Sequence, residues 1–308
     1  MEDSVTTDVF TADVVVVGGG PAALSAALVL GRCRRTVILC DSGEYRNAPT
    51  PAMYGFLSRD GCEPAELRRI AREQLRKYTT VTIWNTAVTD ARTIVSGGFE
   101  IHTSTGMTVR SRLLLLATGV VDDLPPIDGA SEFFGRGVFQ CPYCDGFEVA
   151  GRPLVVYGRR SSAVGLALEL LGWSDQVRLC SDGLLSVTDA EHKRLDRNGI
   201  TIDDRRIVRL KGSERLEAVE FASGPAYACS GMFFATGEHQ RSDLAARLGC
   251  EFTPEGTVAT GEYETTCVKG LFVAGDASRR MQLAIVAAAE GAEAAAVMNA
   301  ALLEQDLK

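Results

Sequence analysis

Cys141 and Cys144, with two residues between them in Cys141-Pro142-Tyr143-Cys144-Asp145-Gly146, are the side chains most able to do covalent chemistry. A pair at this spacing closes a small disulfide and reopens to two thiols, so it shuttles two electrons. A helix start or nearby peptide dipoles lower a thiol pKa enough to make it a nucleophile. Half of a zinc site has the same spacing, but its second half is missing. Cys33, Cys40, Cys62, Cys180, Cys229, Cys250 and Cys267 stand apart, and His102, His192 and His239 supply no clustered pair. No metal site is expected. Pro142-Tyr143 and the surrounding glycines read as an exposed turn rather than a buried structural pair.

Gly18-Gly19-Gly20-Pro21-Ala22-Ala23 is a second chemical feature. The first glycine makes a tight turn, the second lets backbone approach a pyrophosphate, and the third position, here Ala23, must be small for close helix–strand packing. Alone this pattern is weak. It gains force from its setting, between an apolar β-branched run at residues 12–17 and the helix-forming Leu24 to Gly31, with Thr36 to Cys40 as a second strand. Asp41 then ends that strand about twenty residues past the turn, where a carboxylate accepts hydrogen bonds from a ribose. A helix amino terminus after Gly18 to Gly20 suits a pyrophosphate.

These features need elements to hold them. A helix is expected from Pro64 to Tyr78. Segments near 81–95, 99–103 and 107–110 read as an antiparallel meander, and Leu113 to Leu116 as a buried strand closed by Ala117-Thr118-Gly119. Val121 to Gly129, with Pro125 and Pro126, reads as a linker. A second strand–turn–helix–strand unit follows: Pro153 to Tyr157, Gly158-Arg159-Arg160-Ser161-Ser162-Ala163, Val164 to Leu171, and Val177 to Cys180. It ends with Met232 to Ala235 and Thr236-Gly237, echoing residues 117–119, so the chain carries an internal repeat. Leu271 to Asp276 is a last strand with an acidic end, followed by a helix from Gln282 to Asn299. The expected class is α/β, with two Rossmann-like, doubly wound, three-layer nucleotide-binding domains, the second inserted into the first. Residues 1–119 and 241–308 would form the outer one and 120–240 the insert.

The composition agrees with this. The chain has 308 residues, enough for two domains of about 150 residues. It is 46% hydrophobic and 23% charged, an ordinary globular balance. Its net charge is −8 and its pI about 5.1, with arginines interspersed among acidic residues, which argues against nucleic acid as a partner. No uninterrupted apolar run reaches the roughly 18 residues of a membrane span, so neither signal peptide nor anchor is expected. Nine scattered cysteines fit a reducing, cytoplasmic location. Cys180 reads as a buried strand residue, and Tyr54 and Phe56 read as core aromatics rather than groove residues.

Four landmarks in order resemble the low-molecular-mass thioredoxin reductase family of flavoproteins: Gly18 to Ala23, Ala117 to Gly119, Cys141 to Gly146, and Gly275-Asp276 before the last helix. The resemblance implies a homodimer binding FAD. Asp276 would hold the ribityl chain, and Gln282, Leu283 and the following helix terminus would lie near the flavin. Cys144 would face the ring, Cys141 would exchange disulfides with substrate, and Asp145 would donate or accept protons. A raised pKa from burial would suit Asp145 to this, and helix capping is its plainer role. Such reductases carry a glycine-rich turn in the insert and a His-Arg-Arg element for the 2′-phosphate of NADPH. Here Arg160 replaces the middle glycine and Cys180-Ser181-Asp182-Gly183 replaces the basic element. Losing two charge-assisted contacts weakens NADPH binding by about 3–6 kcal/mol, roughly a hundredfold to ten-thousandfold, and leaves weak NADH use open.

The chain also resembles the flavin-dependent dithiol oxidases of the gliotoxin and holomycin type, through Asp41-Ser42-Gly43-Glu44-Tyr45-Arg46-Asn47-Ala48-Pro49 and Gly55 to Gly61. In that frame Arg46 would approach the FAD phosphates, with Asn47 beside it. The implied activity closes a disulfide in a small dithiol, with oxygen accepting the electrons. The alternatives are reduction of thioredoxin or a similar protein, driven by NAD(P)H or another donor such as ferredoxin, and a flavin redox sensor without turnover. Asp145 matches the reductases, since the oxidases commonly carry histidine there.

Overall fold

A computed structural model describes residues 9–279 and 281–308. In chain order the first elements are β1 (Val9–Val17), α1 (Pro21–Arg32), β2 (Val37–Cys40), α2 (Pro64–Leu75), β3 (Val81–Trp84), β4 (Val88–Thr93), β5 (Phe99–Thr103), β6 (Thr108–Leu116) and β7 (Val120–Asp122). Then come α3 (Ala130–Phe133), β8 (Val138–Phe139), α4 (Pro142–Asp145), β9 (Leu154–Tyr157), α5 (Ser161–Glu169), β10 (Val177–Cys180), α6 (Asp189–Arg197) and β11 (Thr201–Asp203). The chain finishes with β12 (Ile207–Gly212), β13 (Leu216–Phe221), β14 (Tyr227–Ala228), β15 (Gly231–Phe234), β16 (Glu238–Gln240), α7 (Leu244–Arg247), β17 (Leu271–Val273) and α8 (Ala284–Asp306).

The first sheet has the order β3-β2-β1-β6-β5-β4, with β17 also paired to β6. Alternate residues of β1 enter opposite cores. Val14 and Val16 pack with α1 and α8, while Val15 and Val17 pack with Ile101, Leu244 and Val273. Burial on both faces is what a run of four valines in a parallel strand is suited to. The second sheet, β11-β10-β9-β15-β8, is parallel throughout and is likewise covered on both faces. The class is α/β with two doubly wound sheets, the second parallel and the first parallel apart from the antiparallel pairing of β4, β5 and the start of β6. Strands β12, β13 and β14 add an antiparallel sheet that the sequence reading did not anticipate.

The meander differs from expectation in two ways. Strand β3 runs parallel to β2, because α2 forms the crossover between them and a helical crossover returns the chain in the same direction. Residues 108–110 and 113–116 belong to one strand, β6, whose first half pairs antiparallel with β5 and whose second half pairs parallel with β17. Of the polar residues in its middle, Arg112 donates to Asp13 at 2.9 Å, whereas Ser111 is buried with its hydroxyl unpaired.

Helix α8 is long and apolar enough to cross a membrane by length and composition, but here it is a core helix laid against α1. Gly291 makes this possible, since a Cβ there would overlap the Ala22 backbone carbonyl. The helix runs past Asn299 because Arg35 donates to Asn299 at 2.7 Å and pairs with Asp306 at 2.6 Å. Finally, β7 and β16 pair antiparallel, with Asp122 opposite Glu238, so both crossings of the chain between the large sheets run side by side.

Candidate active site

Gly18 has φ of +127°, and a Cβ there would collide with the Ala117 carbonyl, so the turn after β1 closes tightly against the end of β6. Gly19 is just as confined, by the Asp41 carboxylate, whereas Gly20 faces open space. Gly20 is the N-cap of α1 and supplies no side-chain cap, leaving the first-turn N–H groups free for an anion. They border a cavity of about 360 Å³. Pro21 and Ala22 line it from α1, Ala117, Thr118 and Gly119 from the end of β6, and Gly275, Asp276, Gln282 and Leu283 from the segment leading into α8. The N-terminus of α8 also lacks a side-chain cap, and Ala284 of its first turn lines the same cavity. Two uncapped helix ends thus favour negative charge at two places in one space. Such a cradle fits a dinucleotide with a pyrophosphate and a ring that gains electrons.

Asp41 lies outside the wall. It is 2% exposed, and its carboxylate accepts from Tyr45 Oη at 2.7 Å, from the Gly43 N–H at 2.9 Å and from Arg72. Its observed role is to brace the loop of Ser42, Glu44 and Tyr45, which line the cavity in its place. Arg46 and Asn47 also line the cavity. The Arg46 guanidinium is taken up by three carboxylates, Asp122 at 2.8 and 2.5 Å, Glu238 at 2.9 Å and Asp276 at 3.0 Å, and by the side-chain amide oxygen of Gln282 at 2.5 Å. Burial works against its charge, but the hydrogen bonds and charge of Asp122, with Asp276 and Glu238, outweigh this and raise its pKa. Its place is therefore a junction between the β7–β16 ribbon and the Asp276 segment, at the cavity wall. Asn47 accepts from Arg68 at 3.2 Å.

The cysteine pair sits at a helix start. Cys141 is the N-cap of α4, with Pro142 as the first helical residue, and its carbonyl accepts from the Cys144 and Asp145 N–H groups at 3.2 Å. Gly146 lets this short helix lie against Trp173, whose ring is 3.0 Å from where a Cβ would stand, and Tyr143 meets the same indole edge-on at 5.5 Å. The Sγ atoms are 2.7 Å apart. Cys144 lines the cavity with Asp145, Phe139 and Gln140, whereas Cys141 lies outside its lining. The hydrogen bond donated by Cys144 lowers the Cys141 pKa, helped by the Cys144 and Tyr143 backbone and opposed by burial and the Asp145 charge. Accordingly the Cys144 thiol is raised, first by giving that hydrogen bond and then by burial.

A family model described as pyridine nucleotide-disulphide oxidoreductase matches residues 12–291. The chain belongs to this family. A "Probable thioredoxin reductase" of Arthroderma benhamiae is 40% identical over 151 residues, 47% of this chain and only 37% of that protein. "Thioredoxin reductase sirT" of Leptosphaeria maculans is 30% identical over 313 residues, covering 96% of this chain and 95% of its relative. Among solved structures HlmI superposes with a TM-score of 0.92 at 36% identity, covering 96% of this chain and 94% of that one. This oxidoreductase is thus a thioredoxin reductase-like, flavin-dependent disulfide oxidoreductase, and its family implies FAD for the cavity described above.

Burial, with the Glu148 charge behind it, raises the Asp145 carboxyl of this oxidoreductase to about 7. It can hold or release a proton at neutral pH. A raised carboxyl pKa stabilises the fold below the unfolded value near 3.8, and this contribution is lost as pH rises towards 7. Asp145→Asn should therefore gain stability relative to the parent as pH rises, by about 2–4 kcal/mol at pH 8 and by almost nothing near pH 4. Thermal unfolding of both proteins across this range checks the sign; a gain largest in acid would contradict it.

In the insert, Gly158 is required because a Cβ would stand 2.7 Å from Ala163 Cβ. Arg160 is the N-cap of α5 and is exposed. Arg159, passed over in the sequence reading, donates to the Ser181 carbonyl at 2.8 Å and pairs with Asp182 at 2.7 Å, bridging the ends of β9 and β10. Cys180 is fully buried as expected. Tyr54, expected in the core, instead lines the main cavity and feels the charges of Glu148, Arg215 and Asp145. Tyr54, Trp173 and Glu148 carried no motif, and only their contacts reveal them.

Proposed function

We propose that this oxidoreductase is an FAD-dependent dithiol oxidase. The observation that carries the reading is the Arg159–Asp182 bridge beside Arg160, which builds over the turn where a nicotinamide nucleotide would enter. Arg160 occupies the position where backbone must approach a pyrophosphate, and Asp182 opposes a 2′-phosphate. Electrons therefore come from the thiol side, and NADPH is a poor donor.

A substrate thiolate attacks Cys141 Sγ of the oxidised pair, the Sγ–Sγ bond breaks, and Cys144 leaves as a thiolate facing the cavity. The second substrate thiolate attacks the mixed disulfide, releases Cys141 and closes the product disulfide. When bound, FAD would be held by the glycine turn, Asp276 and the α8 N-terminus and would supply the two-electron acceptor for re-closure of the cysteine pair, with oxygen as the final oxidant and peroxide as its product. Asp145 handles the thiol protons, and the α8 N-terminus favours negative charge near Gln282. Overall, one dithiol and one oxygen molecule give one disulfide and one peroxide.

Anaerobic titration tests the reading. Small dithiols should bleach the flavin absorption, and NADPH and NADH should leave it within the mixing time. Rapid bleaching by NADPH together with reduction of a thioredoxin disulfide would establish the second reading, a reductase. One observation favours that reading: Asp145 stands where the oxidases commonly have histidine.

A further inference from the structure

Three arginines among the described residues line the main cavity, and they differ in what answers their charge. Arg46 is held by Asp122, Glu238 and Asp276, and Arg241 pairs with Glu44 at 3.4 Å. Arg68, on α2, has no carboxylate within ion-pair reach among the described residues. Its guanidinium lies over the Tyr45 ring, 3.7 Å from the centroid, and donates to Asn47 Oδ1 at 3.2 Å. Burial pulls its pKa down, Tyr45 and Asp41 offset this only in part, and Arg72 adds to the loss. A guanidinium stays protonated under such a penalty, so its remaining N–H donors call for acceptors. Asp41, placed at the end of β2 for a ribose, is already taken up by Tyr45, the Gly43 N–H and Arg72. Arg72 follows Arg68 by one turn of α2 and also donates to Asn85 at 3.0 Å. Gly19 of the β1–α1 turn packs on the same Asp41 carboxylate. Only the Tyr45 ring thus separates Arg68 from the residue that marks the adenosine end of such a site.

We propose that Arg68 is the binding residue for the adenylate half of FAD, in the part that the turn sequence assigned to Asp41. Recognition is thereby inverted. A carboxylate accepts from ribose hydroxyls, whereas a guanidinium donates, and an adenylate presents acceptors on its phosphate, its ribose oxygens and its ring nitrogens. Tyr45 supports the guanidinium plane from one side and Asn47 fixes its rotation, so the group is set before the ligand arrives. Asp41 then serves this seat indirectly, by holding the Tyr45 hydroxyl at 2.7 Å. The inference rests on FAD being the cofactor and holds for either direction of electron flow.

The test titrates the full chain, freed of flavin, with FAD and with FMN, which lacks the adenylate half, and follows flavin fluorescence in parent, Arg68→Gln and Arg68→Lys forms. The parent should hold FAD more tightly than FMN. Arg68→Gln should weaken FAD by about tenfold to a hundredfold, the worth of a hydrogen bond from a charged group, and leave FMN unchanged. Arg68→Lys should fall between, because an ammonium keeps the charge without the planar fork, and FAD binding should keep the salt dependence that the glutamine variant loses. Equal losses for FAD and FMN would reduce Arg68 to a brace for the loop and overturn the inference. Undiminished FAD binding in Arg68→Gln, or a parent that does not tell the two flavins apart, would overturn it as well. Where removal of the flavin unfolds the chain, release of FAD from the loaded protein on dilution reads the same contact: it should be faster in Arg68→Gln, and an unchanged rate counts against the proposal. Should NADPH rather than dithiols bleach the flavin, the oxidase reading fails while the comparison of FAD with FMN still decides the role of Arg68.

Discussion

Cys144→Ser should lower turnover by at least about a thousandfold and, given the substrate's disulfide, accumulate a mixed disulfide at Cys141 as one substrate thiolate is released. The asymmetry of the site sets this outcome. Cys144 faces the cavity and gives its hydrogen bond to Cys141, whose thiol is lowered by that bond and by the first turn of α4. A serine hydroxyl preserves the hydrogen bond, so Cys141 keeps its nucleophilicity, but it closes no Sγ–Sγ bond and delivers no electrons to the cofactor. Cys141→Ser should fail equally in turnover and trap nothing, because its remaining sulfur lies on the inner side. Intact-mass measurement reads the adduct, and anaerobic flavin absorbance reads the electron transfer. An adduct trapped by Cys141→Ser but not by Cys144→Ser would reverse the assignment.

The second large effect belongs to Arg46. Its guanidinium, 14% exposed, is shared among Asp122, Glu238 and Asp276, with the Asp122 side chain only 5% exposed. Arg46→Ala leaves these carboxylates without their cation, and breaking a buried pair in this way costs about 3–5 kcal/mol. FAD retention should fall as well, since Asp276 and Gln282 lose the group that anchors them. Arg46→Lys should recover only part of both, as one ammonium does not span four acceptors. Thermal unfolding with and without added FAD, and flavin content after gel filtration, measure the two effects. An alanine variant as stable as the parent would show that the junction carries no weight.

The features readable in the sequence are those whose parts lie close together along the chain. The β1–α1–β2 turn, its repeat at β9–α5–β10 and the Cys-x-x-Cys helix start each fit within a few tens of residues, and local patterning suffices for them. What escaped depends on long-range contact. Arg46 meets partners 76, 192, 230 and 236 residues away, so its motif context suggested a phosphate where the fold supplies carboxylates. Asp41 stood at the right distance for a ribose, yet Arg72 and Tyr45 fold back onto it. Strand β6 looked broken because Ser111 and Arg112 interrupt its apolar run. Asp13 and the end of α8 absorb that arginine, which only the packed structure reveals. Glu148 carries no motif, and only the packed structure shows its Oε2 buried without a donor.

The pairing of β7 with β16 has an architectural consequence. Asp122 and Glu238 face each other in register, so the chain departs from the first sheet and returns to it at neighbouring points. Everything between them hangs from a single two-stranded stalk, which bends and twists far more readily than two separated tethers would. Swinging the cysteine helix away from the cavity would twist that stalk and part Gly135 from Thr50, against which it lies, while leaving both large sheets intact. Joining Asp122 to Glu238 through a tight hairpin would likewise excise the suspended portion and keep the glycine turn, Asp276 and the Arg46 junction on one contiguous scaffold. The architecture thus lends itself to modular exchange, with the part that carries the cysteine pair replaceable so long as Phe139, Gln140, Cys144 and Asp145 keep their places in the cavity wall.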